Sequence, residues 1–191
     1  MSQNKIRTLL GENPIIPVVK FEDLSEVIPL IDYLQENNYN CIEITLRTEC
    51  SIDAIKLAKQ YCENSFLIGA GSVINSGQIS ELVDAEIDFI VLPGIQEDLI
   101  DVLNKLNIPF LPGVMTPSDI MKALKLGWDT LKFFPAHSAG GIGAIKTYGQ
   151  VFPHVKFCPT GGISYDNHQE FLALENVISV GGSWIQKNFK N

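Results

Sequence analysis

Short apolar runs rich in β-branched and aromatic residues recur along this chain about every 20 to 26 positions, and that beat limits the fold more than any other feature. The runs are residues 15–19, 41–45, 66–68, 89–92, 110–111, 130–133, 155–158 and 177–180. Between most of them lie segments with helical periodicity. In 24–34, Leu24, Val27, Ile28, Ile31 and Leu34 follow the i, i+3, i+4, i+7 pattern. Segments 52–58 and 95–106 read the same way, and 119–126 and 167–174 are shorter examples.

Alternation of strand and helix calls for a parallel sheet in an α/β fold. Eight such units are the number that closes a (β/α)8 TIM barrel, which is the architecture expected here. The 191 residues fall below the ~250 usual for that fold, so the loops have to be trimmed. A doubly wound open sheet is the main rival, because counting strands does not show closure. A solenoid is set aside, since the runs share no repeat consensus. The length suits one compact domain over residues 1–191, preceded within it by a short amphipathic helix at 1–11.

Composition narrows the function. Net charge is −8, from 14 basic and 22 acidic side chains, which argues against non-specific nucleic-acid binding. It leaves room for a small anion, which a few local cations and backbone N–H groups can hold. No apolar stretch approaches the ~20 residues of a membrane span, and the N-terminus lacks an apolar signal core. A cytoplasmic protein is expected. Cys41, Cys50, Cys62 and Cys158 form no C-x-x-C pair and read as reduced structural thiols. His137, His154 and His168 are scattered, so neither a metal nor another cofactor is expected. His154 precedes a strand and His168 lies on a helix, which suits surface positions.

In a barrel, chemistry gathers at the C-terminal ends of strands, and polar residues there become the candidates. Lys132 interrupts the apolar sixth run, where an ammonium has to be desolvated or paired. Desolvation and neighbouring cations lower the pKa of such lysines, giving an amine that attacks ketones. The plainer alternative is an interior ion pair or a side chain that snorkels to the rim. Strand alternation puts Cys41, Glu43 and Thr45 on one face and Ile42 and Ile44 on the other. Glu43 on that polar face suits proton shuttling or a salt bridge, Lys132 included as its partner. Arg47, at the end of the same run, suits a bidentate carboxylate clamp or a surface charge. Gly-rich turns close three runs: 69–72, 160–164 and 181–183. The last two follow runs seven and eight, the usual place for a phosphate in barrels. Gly140-Gly141 and His137 fall in the loop after Lys132.

Glu-Ile-Thr-Leu-Arg-Thr-Glu-Cys (43–50), Gly-Ala-Gly-Ser-Val (69–73), Pro-Gly (93–94), Lys-Phe-Phe-Pro-Ala (132–136), Phe-Cys-Pro-Thr-Gly-Gly-Ile (157–163) and Gly-Gly-Ser-Trp (181–184) stand in order along the chain. In these segments it resembles the bacterial KDPG/KHG aldolases, which act on 2-keto-3-deoxy-6-phosphogluconate and 4-hydroxy-2-oxoglutarate. The resemblance implies a metal-independent class I lyase with Lys132 as Schiff-base lysine and Glu43 as general acid/base. It implies that Arg47 binds the keto-acid carboxylate, with Ser72 nearby in a place usually held by threonine. Pro93 and Phe134 would line the pocket, and Thr160, Gly161, Gly162, Gly182 and Ser183 would hold the phosphate end. It further implies a (β/α)8 barrel, a homotrimer, and partners limited to 2-keto acids and phospho-sugar acids. His137 departs from the glutamate common after Pro-Ala in the family. A sister aldolase for the phosphogalactonate epimer ranks second. A non-catalytic phospho-sugar sensor or a barrel isomerase would not form an imine.

Overall fold

The structure, a computed structural model, describes residues 2–62 and 66–190. Met1 of the expected first helix lies outside them. Among the described residues nine strands form: β1 (Ile15–Val19), β2 (Cys41–Thr45), β3 (Leu67–Gly71), β4 (Phe89–Val91), β5 (Phe110–Leu111), β6 (Gly113–Val114), β7 (Thr130–Phe133), β8 (Lys156–Pro159) and β9 (Val180–Gly182). The helices are α1 (Ser2–Glu12), α2 (Val27–Glu36), α3 (Ser51–Cys62), α4 (Ser76–Asp84), α5 (Glu97–Lys105), α6 (Pro117–Lys125), α7 (Gly141–Val151), α8 (His168–Leu172) and α9 (Trp184–Phe189). Among the described residues no helix is long and apolar enough to cross a membrane.

Local chemistry accounts for the helix starts. In α6, Pro117 fills the first turn, where its missing N–H costs nothing. Thr116 and Asp119 cap the same helix reciprocally, as Asn75 and Gln78 do for α4. The apolar stripe of α2 is buried at Val27, Leu30, Ile31 and Leu34; of the expected positions Ile28 is only half-buried and Leu24, in a 3-10 turn before the helix, is exposed.

Every strand pair is parallel, but the closed eight-stranded barrel expected from the beat is not formed. The strands make a six-stranded half-barrel, ordered β5-β4-β3-β2-β1-β9, and a separate three-stranded sheet, β6-β7-β8. The fifth run explains one gap. Pro112 has no N–H to donate and ends that run, so β5 pairs with β4 while β6, just beyond it, pairs with β7. Across the other gap, two isolated bridges, Phe157 with Val177 and Thr160 with Gly181, replace a ladder. The expected strand at 177–180 begins only at Val180, because the Val177 N–H turns back to the Leu174 carbonyl.

Alternation along the strands sorts side chains into two groups. Ile42, Ile44, Leu131 and Phe133 join the large core under the helices. Cys41, Ile16, Phe89, Val91, Leu111 and Cys158 face inward and pack on Ile6, Leu9 and Leu10 of α1. This helix also ties the two sheets together where Pro112 parts them. The Gln3 side chain donates to the Phe110 carbonyl and accepts from the N–H groups of Asp129 and Thr130. Arg7 donates to the Thr130 hydroxyl and to the carbonyls of Asp129 and His154.

Candidate active site

Alternation carries Glu43 on β2 and Lys132 on β7 to the same interior, one from each sheet. Lys132 Nζ donates to Glu43 Oε1 at 3.2 Å, and the two side chains are only 5% and 4% exposed. Burial of either charge alone would be costly, so each supplies what the other needs. Nζ also lies 5.3 Å from the centre of the Phe134 ring, whose face attracts a cation. Space for the carboxylate comes from Gly71 on β3: a Cβ at that position would run into Glu43 Oε1. Glycine in Gly-Ala-Gly-Ser is therefore required by packing against Glu43.

Arg47 follows β2 and is exposed, with no carboxylate in ion-pair range among the described residues. Its Nε donates to Ser72 Oγ at 2.9 Å. Ser72 has φ +60, a left-handed conformation that a β-branched side chain tolerates poorly. Serine in place of threonine keeps the hydroxyl acceptor for Arg47 without that crowding.

A cavity of about 100 Å³ opens beside this pair. Of the expected site residues, Arg47, Phe134, Thr160, Gly161, Gly162, Gly182 and Ser183 line it. Val18, Ile163 and Gly181 line it too, and the first of these gave no signal because an apolar strand residue looks the same on either face of a sheet. Phe134 connects the cavity to Lys132. Gly181 is needed where β9 meets Thr160, since a Cβ there would strike the threonine hydroxyl. Gly161 and Gly162 hold φ +96 and +77, which only glycine adopts without strain.

Pro93 is not brought to this cavity. It borders a separate hollow of about 130 Å³ with Gly94 and Gln96, and its backbone abuts Gly113 so closely that a Cβ on that glycine would not fit. Two larger hollows, of about 350 and 440 Å³, lie beside Trp128 and beside Lys156, away from the buried ion pair. Their size carries no chemistry, because no buried titratable pair opens into them.

The histidines divide. His154 is exposed as expected, and His137 is exposed with its backbone N–H on the Gly161 carbonyl. His168, expected at the surface, is buried at 7% exposure. Its helix is short, and Trp184 from far along the chain covers it. Cys41 and Cys158 lie in the same interior as Glu43. Burial, each other's proximity in the case of Cys41, and the Glu43 carboxylate push the Cys41 thiol up to about 12. Burial also raises Cys158 to about 12, against the pull of Lys132.

Comparison with known proteins shows the family. The family model for KDPG and KHG aldolase matches residues 6–190. The KHG/KDPG aldolase of Escherichia coli K12 is 38% identical over 179 residues, covering 93% of this chain and 83% of that protein. A KDPG aldolase structure from Legionella pneumophila, with pyruvate captured as a covalent carbinolamine, superposes with a TM-score of 0.92 at 41% identity, covering 97% of this chain and 90% of that one. A Zymomonas mobilis 2-keto-3-deoxy-6-phosphogluconate aldolase with 3-phosphoglycerate also gives 0.92, at 34% identity, covering 98% and 93%.

Proposed function

The chain belongs to the KDPG and KHG aldolase family, and we propose that it cleaves 2-keto-3-deoxy-6-phosphogluconate to pyruvate and glyceraldehyde 3-phosphate through a Schiff base on Lys132. 4-Hydroxy-2-oxoglutarate is cleaved to pyruvate and glyoxylate by the same chemistry. The observation that carries this reading is the buried 3.2 Å contact between Lys132 Nζ and Glu43 Oε1 beside a glycine-lined cavity.

A proton passes from Lys132 to Glu43 along that contact, leaving a neutral amine. Nζ attacks C2 of the keto acid, and Glu43 protonates the carbinolamine hydroxyl so that it departs as water. The protonated imine that remains is the electron sink. As Glu43 takes the proton of the C4 hydroxyl, directly or through water, the C3–C4 bonding pair flows into the imine. The aldehyde leaves, and pyruvate is held as its enamine. Protonation at C3 and addition of water then release pyruvate and the free amine. No step in this sequence calls for a metal ion.

Arg47, steadied by Ser72, binds the C1 carboxylate. Phe134 covers the reacting carbon, and Thr160, Gly161, Gly162, Gly182 and Ser183 take the phosphate end. Pro93, which borders a separate hollow, is given no part in this reading. The working protein is a cytoplasmic homotrimer of single-domain subunits in this reading.

Borohydride reduction in the presence of pyruvate, followed by peptide mass mapping, tests the reading. A reduced pyruvate adduct on Lys132 is expected, together with release of pyruvate from the phosphorylated substrate. Absence of the adduct in folded protein would overturn the aldolase mechanism and leave a sensor or isomerase.

A further inference from the structure

His168 is buried although nothing in the proposed reaction uses it. Its Nδ1 lies 2.6 Å from the Tyr165 carbonyl oxygen, which only accepts, so Nδ1 carries the hydrogen. Its Nε2 accepts from the Gln169 side-chain amide at 3.0 Å. Both ring nitrogens are thus committed, and the ring plane is fixed. Tyr165 lies against it with centroids 5.8 Å apart, and Trp184 at 5.4 Å with planes tilted by 33°. The six-membered ring of Trp184 in turn covers the Cα of Gly182, where a Cβ would collide with it. A column of three rings therefore ends on one of the two glycine turns that line the cavity.

The neighbouring residue grips the other turn. Asn167 Nδ2 donates to the Gly162 carbonyl at 3.1 Å, while its Oδ1 accepts from the Ser164 N–H at 2.9 Å. The His168 N–H closes the segment on the Ser164 carbonyl at 3.1 Å. Left-handed glycines have no side chain to hold them in place, so a turn such as Gly161-Gly162 depends on contacts of this kind. Asn167 touches one turn directly, His168 reaches the other only through Trp184, and neither lines the cavity.

We propose that Asn167 and His168 are positioning residues that brace both glycine turns, so that they set affinity for the phosphate end of the substrate without touching it. The inference rests on the phosphate assignment made above. It goes further in placing control of that subsite outside the cavity, in a segment whose ring column reaches the surface at Tyr165.

The test compares His168→Leu, Asn167→Ala and the ring-preserving His168→Phe with wild type, each checked by circular dichroism for an intact fold. Steady-state kinetics are taken with the phosphorylated substrate and with unphosphorylated 4-hydroxy-2-oxoglutarate. Inorganic phosphate is titrated while the amide resonances of Gly162 and Gly182 are followed by NMR. His168→Leu and Asn167→Ala should raise KM for the phosphorylated substrate, and Kd for phosphate, by about 5–10-fold with kcat nearly unchanged, the pattern of lost uniform binding. Kinetics with the unphosphorylated substrate should stay at wild-type values, and His168→Phe should recover most of the affinity. Equal losses with both substrates, an unchanged phosphate Kd, or no glycine response to phosphate in wild type would each overturn the brace. A wild type without a borohydride adduct would instead overturn the aldolase reading, and the phosphate titration would still decide the brace.

Discussion

Gly71 shows how far a single hydrogen atom in place of a methyl group reaches into the chemistry. Its Cα faces the Glu43 carboxylate with no room between them. Gly71→Ala should push that carboxylate away from Lys132, and a displacement near 1 Å is enough to cost about 10²-fold in turnover. The check is kcat for cleavage in a variant that keeps its circular dichroism spectrum. Glu43→Gln keeps the shape and removes the proton acceptor, so kcat should fall by about 10²–10⁴-fold. The buried thiols give an independent probe. With Cys41 and Cys158 held near 12 and Cys62 near 11, chiefly by burial, thiolate is scarce at pH 8. Of the four cysteines, Cys50 alone should react with an alkylating agent in native protein, and all four after unfolding, as counted by mass spectrometry. Glu43 and Lys132 were legible in the sequence because a charge in an apolar run breaks its pattern and alternation says which face the charge takes. The burial of His168 was not legible, since its cover, Trp184, comes from the far side of another strand.

Elements were legible in proportion to the width of their apolar faces. The stripe of α2 declares itself over four buried positions. By contrast, α4 buries only Ile79 and Leu82, and α7 carries Gly141, Gly143 and Gly149 with Ile145 as its one buried residue. Such helices are held by their strands and loops more than by their own periodicity, and they escape a reading based on pattern. The division at Pro112 follows from one missing donor, yet the two-residue β6 beyond it is too short to carry alternation. What α1 does across that gap depends on pairings more than 100 residues apart. Gln3→Ala would leave the N–H groups of Asp129 and Thr130 without their acceptor, in a place where Thr130 is fully buried. The expected cost is about 1–3 kcal/mol, read from urea unfolding midpoints, with kcat at low temperature unchanged because the site lies at the opposite ends of the strands. Loss of activity without loss of stability would mean that α1 acts on the site.

Taken whole, the molecule is two parallel sheets whose interior contact includes the Glu43–Lys132 ion pair. A beat of eight runs predicts parallel strands but says nothing about whether hydrogen bonds continue around a circle. That depends on single residues such as Pro112 and on where Val177 turns. The Glu43–Lys132 contact joins the two sheets with charge across the interior, and that choice serves the proposed chemistry at the expense of stability. Taking two charges out of water is offset only in part by their attraction. Removing one partner, as in Lys132→Ala, should therefore destabilise the fold by about 3–5 kcal/mol by stranding the other. Replacing both, with Glu43→Leu and Lys132→Met together, fills the same space with apolar atoms. The double variant should be at least as stable as wild type, by as much as about 1–4 kcal/mol, and should form no pyruvate adduct. Urea unfolding of Lys132→Ala, of Glu43→Leu alone and of the double variant measures this directly. A double variant as unstable as the single ones would mean that the pair is a structural clasp between the sheets.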